Sequence, residues 1–103
     1  MSMKRNIRLS LRQEKLLSRL GEDYTKNWID GAPVIYRDFG AYDVEISGGH
    51  RHNQPISIYV WQKRRWPILV EQHLRQPQDF ERIKQLLDDI AARYMNKEDE
   101  NND

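Results

Sequence analysis

No cysteine occurs anywhere in the 103 residues. Disulfide frameworks, thiolate zinc sites and cysteine nucleophiles are thereby excluded, and a reducing compartment such as the cytoplasm fits. Nor is there an apolar run approaching the ~20 residues that a membrane-spanning helix needs. The N-terminus carries Lys4 and Arg5 with no uninterrupted apolar stretch behind them, so no secretory signal is expected. A phosphate-cradling glycine loop and a Gly-x-Ser-x-Gly elbow are missing too, and there is no convincing triad pairing. With hydrophobic residues at 38% and charged residues at 32%, the composition predicts one soluble domain with a single modest core and polar tails.

Charge is abundant but segregated. Residues 1–21 hold six Lys/Arg against one acid, residues 22–49 two against six, and residues 50–76 five against one. The tail from Lys97 onward is acidic, which leaves a net charge of only +1. Blocks of this kind create local fields that steer oppositely charged partners even when the total is near zero.

The stretch from Tyr36 to Ser47 organises the chain. A turn signal at Asp38-Phe39-Gly40 is followed by alternation of Tyr42, Val44 and Ile46 with Asp43 and Glu45, the pattern of a half-buried strand over residues 41–47. A short strand over 34–36 precedes it. After the loop of residues 48–53, Ile56, Ile58 and Val60 alternate with Ser57, Tyr59 and Trp61, giving a strand with an aromatic outer face. Lys63, Arg64 and Arg65 then form a hairpin tip. Residues 66–74 return as a further strand, with Ile68, Val70 and Leu74 inward. Residues 22–33 read as a connector that holds Trp28 and the Asp30-Gly31 pair.

Two helices flank this sheet. Over residues 6–20, Leu9, Leu16, Leu17 and Leu20 share one arc, while Arg5, Arg8, Arg12, Lys15 and Arg19 follow three- and four-residue steps along an adjacent stripe. Like charges so spaced repel by a few tenths of a kcal/mol per pair, which a polyanion or acidic surface would relieve. A solvated surface helix is the plain alternative. Pro77 and Asp79 open the second helix, in which Phe80, Ile83, Leu86, Leu87, Ile90, Ala91 and Tyr94 form an apolar stripe. Its charged residues, Arg82, Lys84, Asp88, Asp89 and Arg93, read as solvated surface. The expected fold is therefore α+β: a small antiparallel sheet of three to four strands, packed by a C-terminal amphipathic helix, with a basic N-terminal helix. It divides into residues 1–24 as the basic helix, 25–95 as the compact α+β domain and 96–103 as an acidic tail.

Three chemistries deserve weighing against these elements. His50, His52 and His73 lack the spacing of zinc motifs, so no metal or cofactor is assigned. Asp43 and Glu45 share one strand face, where paired carboxylates can hold Mg²⁺ for a nuclease, but Ser47 stands where such a site would place its lysine. Both acids read as solvated. The third constellation, Lys63, Arg64, Arg65 and Trp66 with Tyr59 and Trp61, joins phosphate-neutralising charge to rings that stack on bases or on protein. Packing of Trp61 and Trp66 against the first helix or each other is the competing account.

The run Tyr36-Arg37-Asp38-Phe39-Gly40-x-Tyr42-x-Val44-x-Ile46-Ser47 resembles one found in a family of small phage-borne anti-CRISPR proteins that inhibit Cas9. That family places a Lys/Arg-rich N-terminal segment before a compact α/β domain, and the order of parts agrees. The close likeness covers about a dozen residues; here the N-terminal segment is shorter and richer in leucine, and the patch at Lys63 to Arg65 has no counterpart in the family. The resemblance implies a non-enzymatic inhibitor of a bacterial nucleic-acid effector, with Cas9 or its guide-RNA complex as partner. The N-terminal stripe of Arg5, Arg8, Arg12, Lys15 and Arg19 would then bind the partner, and Lys63, Arg64, Arg65 and Trp66 join the partner-binding residues on their own basic and aromatic chemistry. A small DNA- or RNA-binding module and a metal-dependent nuclease are the alternatives.

Overall fold

The computed structural model describes residues 7–51, 53–77 and 79–98. Its elements run α1 (Leu11–Leu20), β1 (Thr25–Ile29), β2 (Ala32–Asp38), β3 (Tyr42–Gly48), β4 (Ile56–Gln62), β5 (Ile68–Gln76) and α2 (Phe80–Tyr94). The five strands lie in chain order and every neighbouring pair is antiparallel. Both helices cover one face of this meander, and among the described residues no helix lies on the other face.

Local chemistry accounts for each boundary. Ser10 caps α1: its hydroxyl accepts from the Gln13 amide, and the Gln13 side chain accepts from the Ser10 amide. Gly21, at φ 92, ends the helix. Asp79 caps α2 by accepting from the amides of Glu81 and Arg82. Between β2 and β3 the Asp38 carboxylate accepts from the Gly40 amide at 2.7 Å, closing the turn expected there.

The core follows from period-two alternation meeting the helical stripe. Tyr42, Val44 and Ile46 of β3 and Ile56, Ile58 and Val60 of β4 are buried against Ile83, Leu87, Ile90 and Tyr94 of α2. Leu9 and Leu16 join the same cluster, with Leu17 and Leu20 packed at its edge. Among the described residues, no helix is long and apolar enough to cross a membrane.

Two sequence expectations are corrected. The sheet has five strands rather than three to four, because part of the supposed connector is β1. Asp30 and Gly31, at φ 51 and 77, make the two-residue hairpin turn that folds β1 back on β2. Secondly, Ile68, Val70 and Leu74 do not enter the core; all three are exposed, as is Leu69, although Ile68 pairs with buried Gln62 on the helix side. Two register shifts each insert one extra residue into β5, opposite Trp61 and opposite Ser57. The helix-facing positions of β5 fall instead to Glu71, paired with Val60, and His73, paired with Ile58.

Candidate binding surfaces

The residues singled out from sequence are distributed over two ends of the sheet. Arg5 lies outside the described residues. The helix expected from residue 6 begins only at Leu11, so Arg8 lies ahead of the Ser10 cap; Arg8 and, on α1, Lys15 are exposed. Arg12 is half-buried, its guanidinium 5.8 Å from the Phe80 ring centre, and Arg19 forms an ion pair with Glu81. The basic stripe is therefore split into exposed charges and charges engaged with α2. The start of α1 is tied to the β3–β4 end of the sheet, where Gln13 Nε2 donates to the carbonyls of Gly48 and Pro33.

Lys63, Arg64, Arg65 and Trp66 are brought together on the β4–β5 loop, at the other end of β3. The Lys63 amide donates to the Ala41 carbonyl at 2.8 Å, and its ammonium sits 2.7 Å from Asp38. That contact, ahead of the Gly40 amide, holds the Asp38 carboxyl below its ordinary range. Arg64 is half-buried. Arg65 is exposed and lies 5.8 Å from the Trp66 ring centre. Trp66 is 77% exposed, which resolves the packing question for this ring: it is presented to solvent rather than stacked on α1.

A third surface went unread in the sequence. The helix-free face carries Tyr36 from β2, Asp43 and Glu45 from β3, and Tyr59 and Trp61 from β4, brought level by the pairs Asp43–Trp61 and Glu45–Tyr59. Of these, Tyr36, Asp43, Glu45 and Trp61 line a hollow of about 510 Å³ together with Ile29, Asp30 and the loop residues Lys63, Arg64 and Pro67. The acids are not solvated as expected but half-buried. Tyr36 donates its hydroxyl to Asp43 at 2.6 Å, and the Trp61 indole donates to Glu45 at 3.2 Å. Burial lifts both carboxyls above their ordinary range, against those hydrogen bonds; repulsion from Asp30 and Asp43 adds to the shift at Glu45. Burial, then the bond to Asp43, raises the Tyr36 phenol as well. The alternation in β3 already put the acids on one side. Their partner Trp61 is 18 positions from Asp43 and becomes visible only through strand register.

The two described histidines do not converge. His50 lies in the β3–β4 loop, His73 is bonded to Glu71 on the helix side of β5, and His52 lies outside the described residues. Among the described residues, no three His, Asp or Glu side chains are grouped to hold a metal ion.

The lifted carboxyls make a direct prediction. A group whose folded-state pKa exceeds its unfolded value stabilises the fold in acid and loses that contribution as pH rises through the folded value. Glu45→Gln keeps an acceptor for the Trp61 indole and removes the charge. It is therefore expected to melt above the native protein at neutral pH, with the gap closing below pH 4, where both side chains are neutral. Thermal melts at the two pH values decide this, and a variant that melts lower at pH 7 would show the carboxylate to be a net stabiliser.

No protein-family model matches this chain, and neither curated proteins nor solved structures give a match. The fold and surfaces define the class only, a small antiparallel α+β meander.

Proposed function

We propose that this chain is a non-enzymatic binding protein that inhibits a nucleic-acid effector in the bacterial cytoplasm, with Cas9 or its guide-RNA complex as target. The β4–β5 loop and the exposed side of α1 make the contact. The observation that carries this reading is the loop: Arg65 beside a tryptophan left 77% exposed, held out by the Lys63–Asp38 pair. Tryptophan and arginine dominate binding hot spots, and a large exposed ring has a favourable reason to be covered. The apolar surface continues past the loop through Ile68, Leu69 and Val70, all exposed. The resemblance of residues 36–47 supplies the target. Lys15 on the capped, packed α1 adds positive charge that needs no backbone ordering on contact, and Arg8, just ahead of the Ser10 cap, adds a second.

The test is a Cas9 cleavage assay with two variants, Arg65→Glu/Trp66→Ala and Arg8→Glu/Lys15→Glu. Hot-spot residues of this kind are worth about 2 kcal/mol or more, roughly 30-fold in affinity. The loop variant is expected to lose inhibition by at least that factor with its circular dichroism unchanged. The helix variant is expected to lose less and to become less sensitive to salt. Full inhibition by both variants removes these surfaces, and a native protein without effect on cleavage removes Cas9. Because an exposed Arg–Trp pair also suits a base and its phosphate, filter binding to RNA and DNA belongs beside the assay. Direct affinity that falls steeply with salt would favour the nucleic-acid-binding module.

A further inference from the structure

We propose that the hollow on the helix-free face is a second binding site, adjoining the β4–β5 loop through Lys63, Arg64 and Pro67, which takes the arginine side chain of an extended segment of a partner polypeptide between Trp61 and the carboxylates of Asp43 and Glu45. This does not rest on the effector-inhibitor reading, since none of these three residues belongs to the surfaces named there.

The shape comes first. At about 510 Å³ the hollow is of the size that holds a ligand rather than a water cluster. A neighbouring depression of about 350 Å³ shares Ile29, Asp30, Glu45 and Trp61 with it and extends toward Ala32, Ser47 and Tyr59. Together they form a trough across the strands, long enough for a chain segment with one side chain set down into it. Its walls come from two rigid features, the β1–β2 turn at Asp30 and the loop that carries Pro67.

Chemistry selects the occupant. Asp43 and Glu45 stand two residues apart on one strand face, a separation of roughly 7 Å. Trp61 lies opposite the first and bonds to the second. A planar cation fits this floor best: guanidinium stacks on an indole face while its in-plane donors reach carboxylate oxygens, which a lysine ammonium does less well. The lining has three acids, Asp30, Asp43 and Glu45, against Lys63 and Arg64, and Lys63 is already held by Asp38. Asp43 gives one oxygen to Tyr36; Oδ1 is shielded from water and has no hydrogen-bond partner. Burial holds both carboxyls above their usual range, with repulsion from Asp38 adding at Asp43 and from Asp30 and Asp43 adding at Glu45, stress that an incoming cation relieves.

Terminally blocked Gly-Arg-Gly peptide, its citrulline analogue and its glutamate analogue form the experiment. Each is titrated into the ¹⁵N-labelled protein, with the Trp61 indole N–H as the reporter. The arginine peptide is expected to shift that resonance and the β3 amides of residues 43–45. Citrulline, isosteric but neutral, is expected to bind at least about tenfold more weakly, and Glu45→Gln to reduce arginine affinity by a similar factor, equivalent to about 1.4 kcal/mol. Equal binding of citrulline would make the trough a merely apolar groove and overturn the proposal. Tighter binding of the glutamate peptide would hand the site to Lys63 and Arg64, with the same result. Shifts confined to residues 63–66, or none with any peptide, also refute it. The three-peptide comparison uses the native protein, so it stands even where a variant fails to fold. Loss of Cas9 inhibition in the loop variant leaves this outcome untouched.

Discussion

Gly48→Ala is expected to destabilise the protein by about 3 kcal/mol or more, enough to consume much of the 5–15 kcal/mol typical of a domain. Gly48 ends β3 opposite Ile56 with φ 92, and a Cβ built there would lie 2.3 Å from the Pro55 carbonyl oxygen. That neighbour is backbone, so no rotamer change relieves the contact. Moving either chain would disturb the buried Ile56 and the Gly48 carbonyl that accepts from Gln13 of α1. The comparison is Gly40→Ala, also at positive φ (99) but with nothing within 4 Å of the added atom. Only the backbone penalty of about 1–2 kcal/mol applies there. Urea unfolding midpoints measure both, and equal losses would mean that the β3–β4 end yields without cost.

The second large effect is expected at Glu71. Its Oε1 accepts the Tyr94 hydroxyl at 2.8 Å, while Oε2 lies 2.6 Å from His73 Nε2 and also accepts from Arg93. This carboxylate ties edge strand β5 to the last turn of α2, and Tyr94 in turn packs on Tyr42 with ring centres 4.9 Å apart. Glu71→Ala removes the shared acceptor, so the hydroxyl of buried Tyr94 and the half-buried His73 ring lose this partner while the half-exposed Arg93 turns to solvent. A loss of about 2–3 kcal/mol follows, or roughly 10 °C or more in melting temperature for a domain of this size. Burial alone would raise the Glu71 carboxyl, but the bonds from His73, Tyr94 and Arg93 together outweigh it and hold it below its ordinary range. The stabilisation is therefore present above the unfolded-state pKa and is lost as pH falls through the lower folded value. Melts of Glu71→Gln and the native protein should differ at pH 7 and converge in strong acid. A constant gap across that range would assign the loss to shape rather than charge.

Glu71 also shows why β5 was misread. Alternation of Ile68, Val70 and Leu74 points to an apolar inner face, yet two inserted residues break the period and place a carboxylate and an imidazole over the core edge. β1 escaped detection for a different reason. Thr-Lys-Asn-Trp-Ile has no inward stripe, and the segment is a strand because the Asp30-Gly31 turn lays it along β2. By contrast, Tyr42, Val44 and Ile46 keep strict alternation, and Phe80 to Tyr94 keep helical spacing, and both lie where those periods put them.

The same division applies to the surfaces. The exposed charge of Arg65 at a hairpin tip was readable, since a polar run between two alternating strands belongs in a turn. Exposure of Trp66 was not, because a tryptophan's burial depends on what is packed against it. For Asp43 and Glu45, the shared face was written in their i, i+2 spacing; their half-burial depended on Trp61, Tyr36 and Asp30 arriving from three other segments.

What the amino-acid order determined by itself is thus the local part: the two helices, four of the five strands, the inward side of β3 and β4, and the segregation of charge. Only the tertiary structure decided the fourth and fifth strands' registers, the role of Glu71 and the hollow on the helix-free face. The physical reason is range. Periodicity and capping act within one or two turns of chain, whereas register, bulges and burial are set by residues that meet only when the sheet has closed.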